Sequence, residues 1–374
     1  MPVTEAALLE ALKSVVDPDT GKDFVSTKAL KNLRIEGGRV AFDVELGYPA
    51  LSRHELLRSA LEAAARTVPG VDGVAVSIAT RIASHAVQRG VQLLPGVKNI
   101  VAVASGKGGV GKSTTTVNLA LALAAEGARV GILDADIYGP SQPMMMGISG
   151  RPDSRDGKTM EPLENHGVQV ISIGFMVEPD QAMIWRGPMA TQALEQLLRQ
   201  TNWRDLDYLL VDMPPGTGDI ALTLSQRVPL TGAVIVTTPQ DIALIDARKA
   251  LKMFEKVGVP ILGVVENMAV YCCPNCGHTE HIFGADGGRR MAAQYGVDYL
   301  GALPLTMKIR EQADSGRPTV AAEPDGEIAG LYKAVARRVA VHVAAKARDF
   351  SAKFPTITVS KTTSQAAARD RLVQ

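Results

Sequence analysis

The segment Ser105–Thr114, SGKGGVGKST, constrains this chain more than any other. Gly106-Lys-Gly-Gly-Val-Gly111-Lys112-Ser113 fits G-x-x-x-x-G-K-[ST], a loop whose backbone N–H groups wrap phosphate oxygens. Such a loop needs a strand before it and a helix after it. Here Ile100–Ala104 is a continuous apolar run, and a helical stretch, Lys112–Glu126, follows. Gly106, Gly108, Gly109 and Gly111, with Lys107 and Val110 between them, let the backbone turn inward without Cβ clashes. The helix N-terminus adds partial positive charge. Lys112 is expected to reach the β- and γ-phosphates of ATP. The hydroxyl of Ser113, ahead of Thr114, is expected to complete a Mg²⁺ shell.

From Asn99 onward, short apolar runs alternate with helical stretches. Strands are expected at Ile100–Ala104, Val130–Leu133, Val168–Ile173, Tyr208–Val211, Ala233–Thr237, Ile261–Val265 and Tyr299–Gly301. They are continuous rather than alternating, as in strands covered by helices on both faces. Intervening helices such as Met189–Gln200 have the length of crossovers. The fold class is therefore α/β: a doubly wound, mostly parallel sheet forming a P-loop NTPase over residues 98–344. Residues 1–80 read as a small α+β domain, with helices at Ala6–Val16 and Leu56–Val68 and strands at Arg39–Leu46 and Val74–Ile78. Residues 81–97 are expected to be a linker. The Ala-, Lys-, Ser- and Thr-rich residues 345–374 are expected to be a loosely ordered tail.

Composition removes several classes of function. A formal net charge of +1 over 374 residues provides no broad basic field for nucleic acid or an anionic membrane. No uncharged apolar run approaches the ~20 residues of a membrane helix. The N-terminus lacks a basic region followed by an apolar one, so a cytoplasmic location is expected.

Two further strands end in carboxylates, where a nucleotide site in such a sheet collects its polar groups. Gly131-Ile-Leu-Asp134-Ala-Asp136 is one; Asp136 is expected to orient the attacking water and Asp134 to face Mg²⁺ or the loop. The Tyr138-Gly-Pro-Ser141 that follows suits a switch loop. Tyr208-Leu-Leu-Val-Asp212 is the other, a Walker B pattern whose carboxylate holds the Mg²⁺ water shell, followed by a stiff Pro214-Pro215-Gly216 turn.

The three cysteines fall together at Cys272, Cys273 and Cys276. Cys273 and Cys276 have C-x-x-C spacing, which suits a zinc site completed by His278 and His281, a redox pair, or half of a [4Fe–4S] cluster whose other thiolates come from a second chain. Spacing alone leaves zinc and iron–sulfur open. An intermolecular site is favoured because one chain holds no second C-x-x-C.

Lys107-Gly-Gly-Val-Gly-Lys-Ser113 resembles the deviant Walker A ATPases, among them MinD, ParA and the nitrogenase iron protein. That resemblance implies a homodimer in which Lys107 reaches the other subunit's ATP. Lys107–Ser113, Asp134–Ser141, Asp212–Asp219, Thr238-Pro-Gln240, Glu266-Asn-Met268, Cys273-Pro-Asn-Cys276 and His281–Gly284 together resemble the Mrp/ApbC family, ATP-dependent iron–sulfur cluster carriers. The resemblance implies ATP, Mg²⁺ and a [4Fe–4S] cluster held by Cys273 and Cys276 of both subunits. It also implies a cluster donor, apo-protein recipients, and a contact of Asn267 with the adenine edge. Residues 1–80 resemble the small iron–sulfur-assembly domain, with Asp17-Pro-Asp-Thr-Gly21 similar to its D-P-E-x-G. Where many such domains carry T-P-A-C-P, this chain has Tyr48-Pro-Ala-Leu51-Ser52. Leu51 has no sulfur for iron, which leaves partner docking as that segment's expected role. The alternatives are a MinD/ParA-like positioning ATPase and a zinc-stabilised nucleotide-dependent adaptor. Residues 330–347, Ala- and Val-rich with scattered basic residues, offer a poor membrane anchor.

Overall fold

A computed structural model describes residues 3–85, 87–88, 91–177 and 187–346. The expected tail lies outside them beyond Lys346. The N-terminal unit comprises α1 (Glu5–Leu12), β1 (Leu30–Glu36), β2 (Arg39–Leu46), α2 (His54–Arg66) and β3 (Gly73–Thr80). On β2, Val40, Phe42, Val44 and Leu46 are buried in strict alternation, the period-two pattern of a sheet with one covered face. β1 pairs antiparallel with β2, whereas β3 pairs parallel to it, a connection that needs the crossover supplied by α2. α1 stops at Leu12, short of the expected Val16. There Ser14 Oγ bonds the Ala11 carbonyl at 2.7 Å, and Val16 leaves to bridge Asp23.

The main sheet has the order β13-β10-β9-β4-β8-β5-β7-β6. Its strands are β4 (Val97–Ala104), β5 (Val130–Asp134), β6 (Leu163–Asn165), β7 (Val168–Ser172), β8 (Leu206–Asp212), β9 (Gly232–Thr237), β10 (Ile261–Glu266) and β13 (Tyr299–Ala302). All pair parallel except β6, a three-residue antiparallel edge on β7 that is too short to have a readable pattern. A two-stranded ribbon of β11 (Tyr271–Cys272) and β12 (Thr279–Glu280) follows β10. Every residue of β5, β8 and β9 is buried, which accounts for their unbroken apolar runs.

The helices are α3 (Lys112–Ala125), α4 (Gln142–Met145), α5 (Gly187–Gln200), α6 (Asp219–Arg227), α7 (Asp241–Lys256), α8 (Gly287–Tyr295), α9 (Met307–Asp314), α10 (Thr319–Ala322) and α11 (Glu327–Ala344). Apolar residues of α5, α6, α7 and α8 fill one core layer. α3 and α11 fill the other, continuous with the core of the N-terminal unit. The stretch expected as a linker is packed where it is described. Ile82 and Leu94 are buried, Gln88 Nε2 donates to the Ser225 carbonyl at 2.9 Å, and Asn99 Nδ2 donates to the Ala83 carbonyl at 2.9 Å.

Charged groups tie the N-terminal unit to the main sheet. Arg337 of α11, buried, donates to Glu126 Oε1 at 2.6 Å and to Asp19 at 3.1 Å. Glu126, the residue capping the C-terminus of α3, also accepts from Ser52 Oγ at 2.7 Å and Ser52 N at 2.9 Å. The Asp17-Pro-Asp-Thr-Gly21 turn feeds the same cluster. Asp17 accepts from Tyr48 Oη and Thr20 Oγ1, both at 2.8 Å. Burial, then the charge of Asp17, push the Tyr48 phenol far above its usual range, so it remains a donor.

Candidate functional site

β4 is central, and the chain leaves it for strands on both sides, so the phosphate loop sits where a doubly wound sheet opens a crevice. The turn after β8 holds the start of the loop through Gly216 N to Ser105 O at 2.9 Å, and within the loop Ser105 Oγ donates to Lys107 O at 2.9 Å. Gly106 is required by space: a Cβ there would run into the Asp246 carbonyl of α7. Gly111, at φ +80°, caps α3 in the left-handed region, and a Cβ on it would strike the Asn267 amide. Lys107 is exposed on the lip of the loop, and no ion pair of the described residues includes it.

The carboxylates converge as their strand positions dictate. Asp134, Asp212 and Ser172 are cross-strand neighbours at the carboxyl ends of β5, β8 and β7. Lys112 Nζ lies 2.6 Å from Asp212 Oδ1, 3.1 Å from Ser113 Oγ and 3.7 Å from Asp136 Oδ2. An ammonium therefore stands inside a nest of hard oxygens, the ligand type Mg²⁺ requires, and the residues fit that ion. Thr116 Oγ1 adds a hydrogen bond to Asp212 Oδ1 at 3.1 Å, and Gln142 Nε2 one to Asp212 Oδ2 at 2.9 Å. Asp134 accepts from Ser172 Oγ at 2.9 Å, Gln142 N at 3.1 Å and Asp136 N at 3.2 Å.

Burial, and then the charge of Asp212, push the Asp134 carboxyl up to about 7. Burial also raises Asp136, against the pull of Lys112. An acid that binds its proton more tightly when folded favours folding at low pH. For Asp134 that contribution is complete below 3.8 and lost as the pH rises through about 7. The nucleotide-free protein is accordingly expected to resist urea better at pH 6 than at pH 8. Asp134→Asn should flatten that difference, and an unchanged difference would assign it to other groups.

Asn267, expected against adenine, uses its Nδ2 to brace the loop, donating to Val110 O at 2.9 Å. Thr116, Gln142 and Ser172 were not singled out in the sequence. Thr116 lies one turn past Lys112, and Ser172 ends a strand beside β5, positions that the fold rule for strand ends and helix spacing can find. Gln142 has no such signal, because it reaches Asp212 only after the turn at Ile137-Tyr138 brings the chain back.

Cys272, Cys273 and Cys276 lie on the β11–β12 ribbon, beyond the carboxyl end of β10 and hence at the phosphate-loop end of the sheet. Cys273 N donates to His278 O at 2.8 Å and Gly277 N to Cys273 O at 2.9 Å, which closes the tight turn. Cys272 and Cys276 are exposed and Cys273 is half-buried. The N–H groups of Asn275 and Cys276 hold the Cys273 thiol below its usual range. His281 turns Nδ1 onto the Ala269 carbonyl at 2.7 Å. Among the described residues, no group of three or more His, Cys, Asp or Glu side chains is arranged to hold a metal ion. The same residues include no helix long and apolar enough to cross a membrane.

Comparison with known proteins agrees with this arrangement. Residues 96–340 match the family described as NUBPL iron-transfer P-loop NTPase, and residues 5–78 match a family of iron–sulfur cluster assembly proteins. An iron–sulfur cluster carrier protein of Escherichia coli (strain K12) is 48% identical over 349 residues, which is 91% of this chain and 95% of that protein. One of Pseudomonas fragi is 60% identical over 278 residues, 74% of this chain and 97% of that protein. A nucleotide-binding protein of Archaeoglobus fulgidus, solved with ADP, superposes with a TM-score of 0.54 at 37% identity, covering 62% of this chain and 90% of that one. With its phosphate loop, paired strand-end carboxylates and cysteine ribbon in one matched segment, the chain belongs to the iron-transfer P-loop NTPases, with an iron–sulfur-assembly-type unit ahead of the NTPase.

Proposed function

We propose that this protein is an ATP-hydrolysing carrier that holds a [4Fe–4S] cluster between two copies of itself and transfers it to apo-proteins. The observation that carries the reading is the cysteine ribbon, with Cys276 exposed and Cys273 half-buried at the same end of the sheet as the phosphate loop. Each chain offers Cys273 and Cys276, and two chains together make the usual four-thiolate set. The cluster is cargo, so a site split between two chains is also a site that can open.

The loop from Gly106 to Thr114 binds the phosphates of ATP through its backbone, with Lys112 leaving Asp212 to meet them. Ser113 and Asp212 would hold Mg²⁺, which would supply neutralising charge to the transferred phosphoryl. Asp136 orients the attacking water, and Asp134 anchors the switch loop through Gln142 N. Asn267 meets the adenine edge from its place against the loop. Lys107 of each copy serves the ATP of the other.

The test is anaerobic reconstitution of the full chain with iron and sulfide. About four irons per two chains and visible colour are expected, both lost in the Cys273→Ala, Cys276→Ala double variant. The loaded protein should then activate an apo-enzyme that needs such a cluster. A colourless protein that retains one zinc per chain would replace this reading with the zinc adaptor.

A further inference from the structure

Two oxygens beside the carboxylates are buried and have no hydrogen-bond partner, Gln142 Oε1 and Ser141 Oγ. They are two of nine such side-chain atoms among the described residues, and a buried polar atom without a partner calls for a reason. Gln142 is fully buried and tied on every other side. Its backbone N donates to Asp134 Oδ2 at 3.1 Å, and its Nε2 donates to Asp212 Oδ2 at 2.9 Å and to Ser113 O at 3.2 Å. One residue thus clasps two carboxylates, both wholly buried, together with the start of α3.

We propose that Gln142 is a positioning residue for the Mg²⁺–nucleotide site: Nε2 pins Asp212 by one oxygen so that the other faces the cation, and Oε1 is the acceptor kept for the metal's water shell. This rests on the nucleotide reading given under Proposed function. The two oxygens of Asp212 are already divided in this way. Oδ1 takes Lys112 and Thr116, while Oδ2 takes only Gln142 among the described hydrogen bonds. When Lys112 moves to the phosphates, Oδ1 keeps only Thr116, and a carboxylate held by that hydroxyl alone would be free to turn. Gln142 prevents that turn. The task needs a donor and an acceptor on one planar group, and Leu has neither. Because the same residue opens α4, replacing the ammonium by Mg²⁺ is felt directly by the switch loop.

The proposal is tested by the binding of a fluorescent ATP analogue to the full-length protein, with Mg²⁺ and with excess EDTA. Binding by the wild type should tighten with Mg²⁺. Gln142→Leu should lose about tenfold or more of that tightening, the usual cost of removing an outer-shell partner, while its Kd in EDTA stays within about threefold of wild type. Gln142→Met, of nearly equal length but with no donor for Asp212, should need about tenfold more Mg²⁺ for half of the effect. It serves as the deciding variant should Gln142→Leu fail to fold. A Mg²⁺ response equal to wild type in the folded variant overturns the proposal. So does an equal loss of affinity in EDTA and in Mg²⁺, which would make Gln142 part of the loop's scaffold alone. Failure of the wild type to bind nucleotide in either buffer defeats the nucleotide reading itself, and the proposal with it.

Discussion

Lys107→Ala is expected to lower ATP turnover by about 10³-fold while changing nucleotide affinity by less than about tenfold, because it removes a charge that acts on the transition state. The contrast with Lys112 makes the point. Lys112 is buried and already engaged with Asp212 and Ser113, so its loss should damage binding and turnover together. Lys107, by contrast, is exposed on the loop. Mixing tests the origin of the effect. A pair made of one Lys107→Ala chain and one Lys112→Ala chain keeps one complete site: the loop of the first with the Lys107 of the second. An equal mixture should therefore recover about a quarter of wild-type turnover, although each variant alone is nearly inactive. Additive, unrescued inactivity would place Lys107 in its own chain's site, and the case for a nucleotide shared between copies would fall.

The legible parts of this protein are those fixed by local pattern. Continuous apolar runs located the buried parallel strands, and the loop between Ala104 and Lys112 followed from glycine spacing alone. Strand-end position placed Asp134 and Asp212 in one crevice, since both end parallel strands that turned out to be neighbours. The remainder depends on contacts across long stretches of sequence. Gln142 meets Asp212 across 70 residues, and Arg337 meets Asp19 across 318. Nothing local in either residue's surroundings marks such a partner. Short elements were hidden for a different reason: Leu163–Asn165 and the two-residue strands of the cysteine ribbon are too short for an alternation to repeat. The Asp17–Gly21 motif was legible as a motif but not as a role. In the fold Asp17 is spent on Tyr48 and Thr20, and Asp19 on Arg337, so the motif builds the junction between the two units.

That junction supports the second large effect. Arg337→Met should destabilise the protein by about 3–5 kcal/mol, the cost of leaving a buried ionic partner uncompensated. Arg337 and Glu126 are 5% and 0% exposed, so water cannot replace the lost guanidinium. Asp19 retains Arg53 at 3.6 Å, which makes Glu126 the group left stranded. The companion variant Arg337→Met, Glu126→Leu should recover most of the loss, because an apolar pair of similar volume replaces a buried ion pair at little net cost. It would nonetheless lose the side-chain hydrogen bonds of Glu126 and Arg337 to Ser52, leaving Leu51 N to the Glu126 carbonyl at 3.1 Å as the hold of α3 on the turn after Ala50. The two variants should thus separate stability from docking. In the double variant, urea midpoints return towards wild type while amide exchange in residues 48–53 stays fast. Arg337→Met within about 1 kcal/mol of wild type would mean that apolar packing of α11 alone holds the N-terminal unit. Because Glu126 caps the helix that begins at Lys112, the same lesion should also reach the nucleotide site, as a change in how tightly ATP analogues bind that the double variant does not fully reverse.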